Sequence, residues 1–110
     1  MKISVLGSVY DLKVCSNSDD PRMEDADGFC DETVREIMVD SFEKEIDKPG
    51  SKANLSSHSR KTMRHEIVHA FLFESGLAEN SEWAQNEEIV DWFAIQGPKI
   101  YSVWQQAGAL

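Results

Sequence analysis

An α+β domain is expected from this chain. Short β-branched runs fill its first 40 residues, and an apolar helical period takes over near residue 55. A charged connector ending in Lys48-Pro49-Gly50-Ser51 divides the two. The 110 residues suffice for one domain, residues 1–110, near the smaller end of sizes that bury a core comfortably.

Each element has a local reason. Ile3-Ser4-Val5-Leu6 and Val9-Tyr10-Asp11-Leu12-Lys13-Val14 read as two strands, with Gly7-Ser8 as their turn. Residues 16–27 hold Asp, Asn, Ser and Pro with few apolar side chains, so they form a loop. Gly28-Phe29-Cys30 and Val34 to Val39 read as a second hairpin turning at Asp31-Glu32. Apolar groups on both faces of the latter run suit a strand covered on one face and partly on the other. These runs make a small N-terminal antiparallel sheet. Residues 40–53 connect it to a helix from about Leu55 to Ser75, with Gly76 placed to cap the C-terminus. Asn80 or Ser81 can cap a second helix from about Glu82 to Gln96. Gly97-Pro98 should break it, and Pro98 can open a short C-terminal helix through Gln106.

Composition narrows the partners. Eleven basic residues against 20 acidic ones give a net charge of −9, which repels phosphate backbones and anionic lipid. Neither nucleic acid nor a membrane surface is therefore an expected partner. No apolar run reaches the length of about 20 residues that spans a bilayer, and the first residues do not read as a signal peptide. The expectation is a cytoplasmic protein with Cys15 and Cys30 as reduced thiols.

The chemistry is concentrated in Arg64-His65-Glu66-Ile67-Val68-His69-Ala70, an HExxH motif inside the first helix. Residues i and i+4 of a helix lie about 40° apart and about 6 Å along the axis. His65 and His69 can therefore aim two imidazoles at one metal ion. Glu66 falls beside them, where a general base for metal-activated water belongs. Met63, Ile67, Ala70 and Phe71 form the stripe expected to be buried. His58 stands about 10 Å along the axis from His65, too far to share an ion, and reads as a surface residue.

Zinc hydrolases commonly use three protein ligands and keep a fourth position for water. One HExxH arrangement sets a third histidine ten residues after the first, with a glycine between. Those positions here are Ser75 and Leu72. With the histidines accounted for, a third ligand must be a carboxylate. Glu74, Glu79, Glu82, Glu87, Glu88 and Asp91 are the candidates downstream. Glu74 lies on the packed side of its helix, and Glu79 and Glu82 lie in or beside the loop. Glu87 and Asp91 share a face of the second helix, for which Val90, Phe93 and Ala94 are the expected anchors.

The segment His65-Glu66-Ile67-Val68-His69, followed by Asn86-Glu87-Glu88-Ile89-Val90-Asp91 with Glu87 eighteen residues beyond His69, resembles the gluzincin pattern of thermolysin-like peptidases. Glu87-x-x-x-Asp91-x-Phe93-Ala94 is also similar to the corresponding helix of ImmA/IrrE-type metallopeptidases and of small phage-encoded zinc-peptidase-like proteins. The resemblance covers roughly residues 55–96. It implies a minimal zincin with Zn2+ held by His65, His69 and Glu87. Glu66 would be the general base, and Asp91 would hold a ligand histidine by its other ring nitrogen. The activity implied is metal-assisted peptide hydrolysis on a peptide or protein substrate. The strand Val34 to Val39 is the expected edge for that substrate, and Glu36 to Asp40 would make its groove acidic. The alternative is a catalytically inert zinc-binding scaffold that docks a partner protein. No histidine follows His69, and Tyr101 is the only tyrosine downstream.

Overall fold

A computed structural model describes the chain except at Lys44, Glu45, Asp47 and Ser51, four residues of the expected connector that lie outside the described residues. The architecture is α+β. Strands β1 (Lys2–Val5), β2 (Ser8–Cys15), β3 (Gly28–Asp31) and β4 (Glu36–Asp40) precede helices α1 (Leu55–Glu74), α2 (Leu77–Asn80) and α3 (Glu87–Gln106). Among the described residues, no helix is long and apolar enough to cross a membrane.

The first hairpin turns at Leu6-Gly7, one residue earlier than expected. Both residues have positive φ (49° and 86°), as a two-residue turn that follows the strand twist requires. In the second hairpin the Asp31 carboxylate accepts from the Thr33 backbone N–H, and Arg35 takes a left-handed φ of 52° before β4 begins.

The sheet order is β1-β2-β4-β3, and β2 pairs with β4 in parallel, Leu12 opposite Ile37 and Val14 opposite Val39. The sheet is therefore mixed and not wholly antiparallel. Each hairpin is antiparallel within itself. The loop of residues 16–27 carries the chain to the far edge, so the second strands of the two hairpins lie side by side and run the same way. This also corrects the expected substrate edge. The strand at Val34 to Val39 is interior, and the edges are β1 and β3, of which β3 lies beside Glu66.

One face of the sheet packs on α1. Val5, Tyr10, Leu12, Ile37 and Val39 are buried with Ala70, and Met63 and Ile67 pack against them. Burial of such side chains contributes about 1.5–3 kcal/mol each. β4 is buried on both faces, as its doubly apolar pattern suggested, because Met38 lies under the Arg22 guanidinium, 3.6 Å from Nη2. Phe71 departs from the expected stripe and is 42% exposed, since the sheet does not extend beneath that side of α1.

α1 matches the expected span. Asn54 caps it by accepting from Ser57 N–H, and Gly76 (φ 83°) follows its C-terminus in the left-handed conformation. The later helices differ more. Neither Asn80 nor Ser81 opens the long helix. Residues Leu77–Asn80 and Glu82–Gln85 form single turns, and α3 starts at Glu87, where the Asn86 side chain accepts from Ile89 N–H.

Gly97-Pro98 does not break α3, so there is no separate C-terminal helix. Proline lacks the N–H that would bond to the carbonyl four residues earlier, here Ala94. Arg64 of α1 supplies the missing donor, its Nε giving a 2.6 Å hydrogen bond to Ala94 O. Val90 and Ala94 anchor α3, whereas Phe93 is 43% exposed.

Candidate metal centre

α1 and α3 run antiparallel, which sets Lys61 and His65 against Asp91, and His65 and His69 against Glu87. The spacing of four on α1 brings the two imidazoles together, with ring centroids 4.9 Å apart. His65, Glu66 and His69 offer ligand atoms within 4.8 Å of one another, a group that could hold a metal ion.

Glu87 reaches the same point from the first turn of α3. Its two carboxylate oxygens lie 2.8 Å from His65 Nε2 and 2.9 Å from His69 Nε2. Ligands around a tetrahedral zinc with bonds near 2.0 Å stand about 3.3 Å apart, so the donor set needs only a small retreat of Glu87 to admit an ion. That side chain is 70% exposed and free to retreat. Two imidazoles and a carboxylate are the donor chemistry that zinc takes.

Asp91 lies 3.1 Å from His65 Nδ1 and accepts from Lys61 Nζ at 3.1 Å. Partial burial opposes its ionisation, but Lys61 and His65 outweigh it and hold the carboxyl below the ordinary range. An anionic partner on Nδ1 fixes the ring so that Nε2 faces the site. Burial depresses the pKa of His69, keeping a free lone pair for coordination even though Glu87 pulls the other way.

Glu66 is 7% exposed and sits 3.9 Å from His65 Nε2. Burial pushes its carboxyl up to about 7; His65 moderates the rise and Glu87 adds to it. Its position depends on Gly28. A Cβ there would meet Met38 O at 2.9 Å, Thr62 Cγ2 at 3.0 Å and Glu66 Cγ at 3.3 Å, so β3 can approach α1 this closely only as glycine.

Two cavities flank Glu66 and Glu87. One, of about 320 Å³, is walled by β3, His69 and Phe73. The other, of about 330 Å³, extends past Lys61 and Asp91 to Asp25 and Asp27. Asp40 N–H donates to Asp27 O, so the antiparallel ladder turns the backbone N–H and C=O of Gly28 and Cys30 outward from the sheet.

All five residues singled out in the sequence, His65, Glu66, His69, Glu87 and Asp91, meet here. The other acidic candidates do not. Glu74 faces the sheet, accepting from Tyr10 Oη, Ser8 Oγ and Arg35 Nε, while Glu79, Glu82 and Glu88 are exposed. His58 is not a surface residue. Its side chain is 14% exposed, packs on Phe42 and lies 2.9 Å from Asp27. Tyr101 is half exposed on the outer part of α3.

The expected acidic groove of β4 also fails, because Glu36 pairs with Arg22 and Asp40 is buried. Cys15 and Cys30 are free thiols. The Cys30 thiol is pushed up to about 12 by burial and then by the charge of Glu66, which makes it unreactive at neutral pH. Sequence reasoning missed Lys61 and Gly28. Lys61 was findable one turn before His65 on the same face, whereas Gly28 needed the sheet order.

A scan against protein-family models finds no match, and searches among curated proteins and solved structures find none either.

Proposed function

We propose that the chain is a zinc-dependent metallopeptidase-like protein in which His65, His69 and Glu87 hold the ion. The observation that carries this reading is the Glu87 carboxylate spanning both Nε2 atoms with buried Glu66 beside them. A bound zinc ion would supply Lewis acidity toward a carbonyl and would acidify water. Glu66, buried beside the two histidines, takes the proton from the attacking water and returns it to the leaving amine. Asp91 keeps His65 oriented. The outward backbone groups of Gly28 and Cys30 offer an extended peptide hydrogen bonds beside Glu66, so β3 is the substrate edge in this reading.

Metal content by native mass spectrometry tests the ligand set. Wild type should carry one zinc, Glu87→Ala and His69→Ala none, and Glu88→Ala the full complement. Zinc retained by Glu87→Ala but lost from Glu66→Gln would make Glu66 the third ligand and remove the base.

A second reading is supported by the position of Tyr101, which lies along α3 about 21 Å from Glu87 at about 1.5 Å per residue. Without an oxyanion donor, the chain would be a zinc-holding scaffold that binds a partner protein. Glu66→Gln separates the two. A peptidase loses at least about a hundredfold in cleavage while keeping its zinc. A scaffold cleaves nothing as wild type and functions unchanged as the variant.

A further inference from the structure

α3 carries an apolar face that α1 does not cover. Val90 and Ala94 are the buried residues of this helix. Ile89, Phe93, Gln96, Ile100 and Val103 follow at alternating steps of four and three. At about 100° per residue they form one stripe, roughly 120° around the helix from Val90 and Ala94 and on the side opposite Glu87 and Asp91. Ile89 is 40% exposed, Phe93 43% and Val103 59%, and Trp92 and Trp104 flank the stripe at 51% each. A step of four and three is the seam of a two-helix coil. Beyond Gly97 every residue but Ile100 is exposed, so the end of α3 projects from the body. The radius of gyration, 15.0 Å, exceeds the roughly 13 Å of a compact chain this long.

We infer that the stripe docks a second copy of this chain, its α3 antiparallel to the first about a twofold axis at Gln96. Three observations select that occupant. The exposed parts of the aromatic and aliphatic side chains amount to roughly 500–600 Å² per chain, taking about 150–250 Å² for a whole aromatic side chain. Two such faces clear the roughly 1,000 Å² of total area that a specific interface needs. The stripe is also self-complementary. Reversed about Gln96, Ile89 meets Val103 and Phe93 meets Ile100, while each Gln96 amide both donates to and accepts from its mate. Finally, charge does not oppose the pairing. All but one of the 11 basic residues and one of the 20 acidic residues precede Ile89, so the net −9 lies entirely on the rest of the chain. Paired this way, both metal centres stay open, because Glu87 and Asp91 face away from the seam.

Sedimentation of the full chain up to about 100 μM tests the pairing. Wild type should be a dimer. Gln96→Glu sets like charges face to face at the axis and should raise the dissociation constant at least about tenfold. Gln96→Lys should do the same, and an equimolar mixture of the two should dimerise again. Val103→Asp, at an exposed position, should also give a monomer, and circular dichroism verifies the fold of each variant. A wild type that is monomeric throughout overturns the inference, whatever other protein binds the stripe. So does a folded Gln96→Glu that dimerises like wild type, or a mixture of folded charge variants that stays monomeric.

Discussion

Glu66→Gln in the metal-free protein should abolish the pH dependence of stability that this carboxyl contributes. Burial raises the Glu66 carboxyl from an ordinary 4.5 to about 7. The folded protein therefore holds that proton to higher pH than the unfolded chain does. Its contribution to stability is full below pH 4.5 and drains away as the pH climbs to about 7. Each decade of difference is worth about 1.4 kcal/mol, so the loss across the window is on the order of 3 kcal/mol. Glutamine keeps the shape and has no proton to lose. Wild type and variant should unfold alike near pH 4, and at pH 8 the variant should be more stable, its melting midpoint on the order of 10 °C higher. Urea or thermal unfolding in chelator, followed by circular dichroism at half-unit pH steps, measures the difference directly. A gap between the two proteins that stays flat from pH 4.5 to 8 would refute the reasoning, because desolvation of Glu66 would then not be felt by the fold. Adding zinc should erase the wild type's deficit, since an ion beside Glu66 favours its charged form.

Asp91→Asn should weaken zinc roughly 10–100-fold in competition with a chromophoric chelator, the usual effect of removing a partner from a ligand histidine. Gly28→Ala forces a methyl group against Met38 O and Thr62 and should cost about 1–3 kcal/mol in urea unfolding. Arg64→Met leaves the Ala94 carbonyl without its donor and should cost about 1–3 kcal/mol. Pro98→Ala returns an N–H to that carbonyl, so it should stabilise Arg64→Met more than it stabilises wild type. Equal effects of Pro98→Ala in both backgrounds would count against the graft.

What could be read from the sequence was local. Gly76 and the 3.6-residue period delimit α1 because caps and periodicity act within a few residues, and Asn54 emerged as its N-terminal cap only in the structure. The shared face of Glu87 and Asp91 follows from helical spacing alone. Long-range pairing was opaque, since nothing near β2 encodes β4 as its parallel neighbour. Once β4 proved interior, its apolar groups on both faces had their explanation, and the edge beside the histidines proved to be β3. Asn80 and Ser81 are the expected caps for the long helix, but Asn86 takes that role, because its side chain is the one that accepts from Ile89 N–H. Pro98 reads as a helix breaker in any local scheme, and the donor that satisfies the carbonyl it leaves open comes from Arg64, thirty residues earlier than Ala94. Phe71 and Phe93 have the periodicity of buried residues, but burial also needs a neighbour on that side.

The histidines stand on α1 and Glu87 on α3, so an ion held by all three would be a cross-link between helices that α2 and a single 3-10 turn otherwise join. Its grip would enter the stability of the domain by mass action. At a hundredfold excess of free ion over the dissociation constant, the gain is about 2.7 kcal/mol. Chelation would then loosen the first turns of α3 against α1, while Val90, Ala94 and the Arg64–Ala94 hydrogen bond keep the two helices in contact. The backbone amides of α3 beyond Asp91 would exchange with solvent sooner than those of β2 and β4, and their protection would rise and fall with the concentration of the ion.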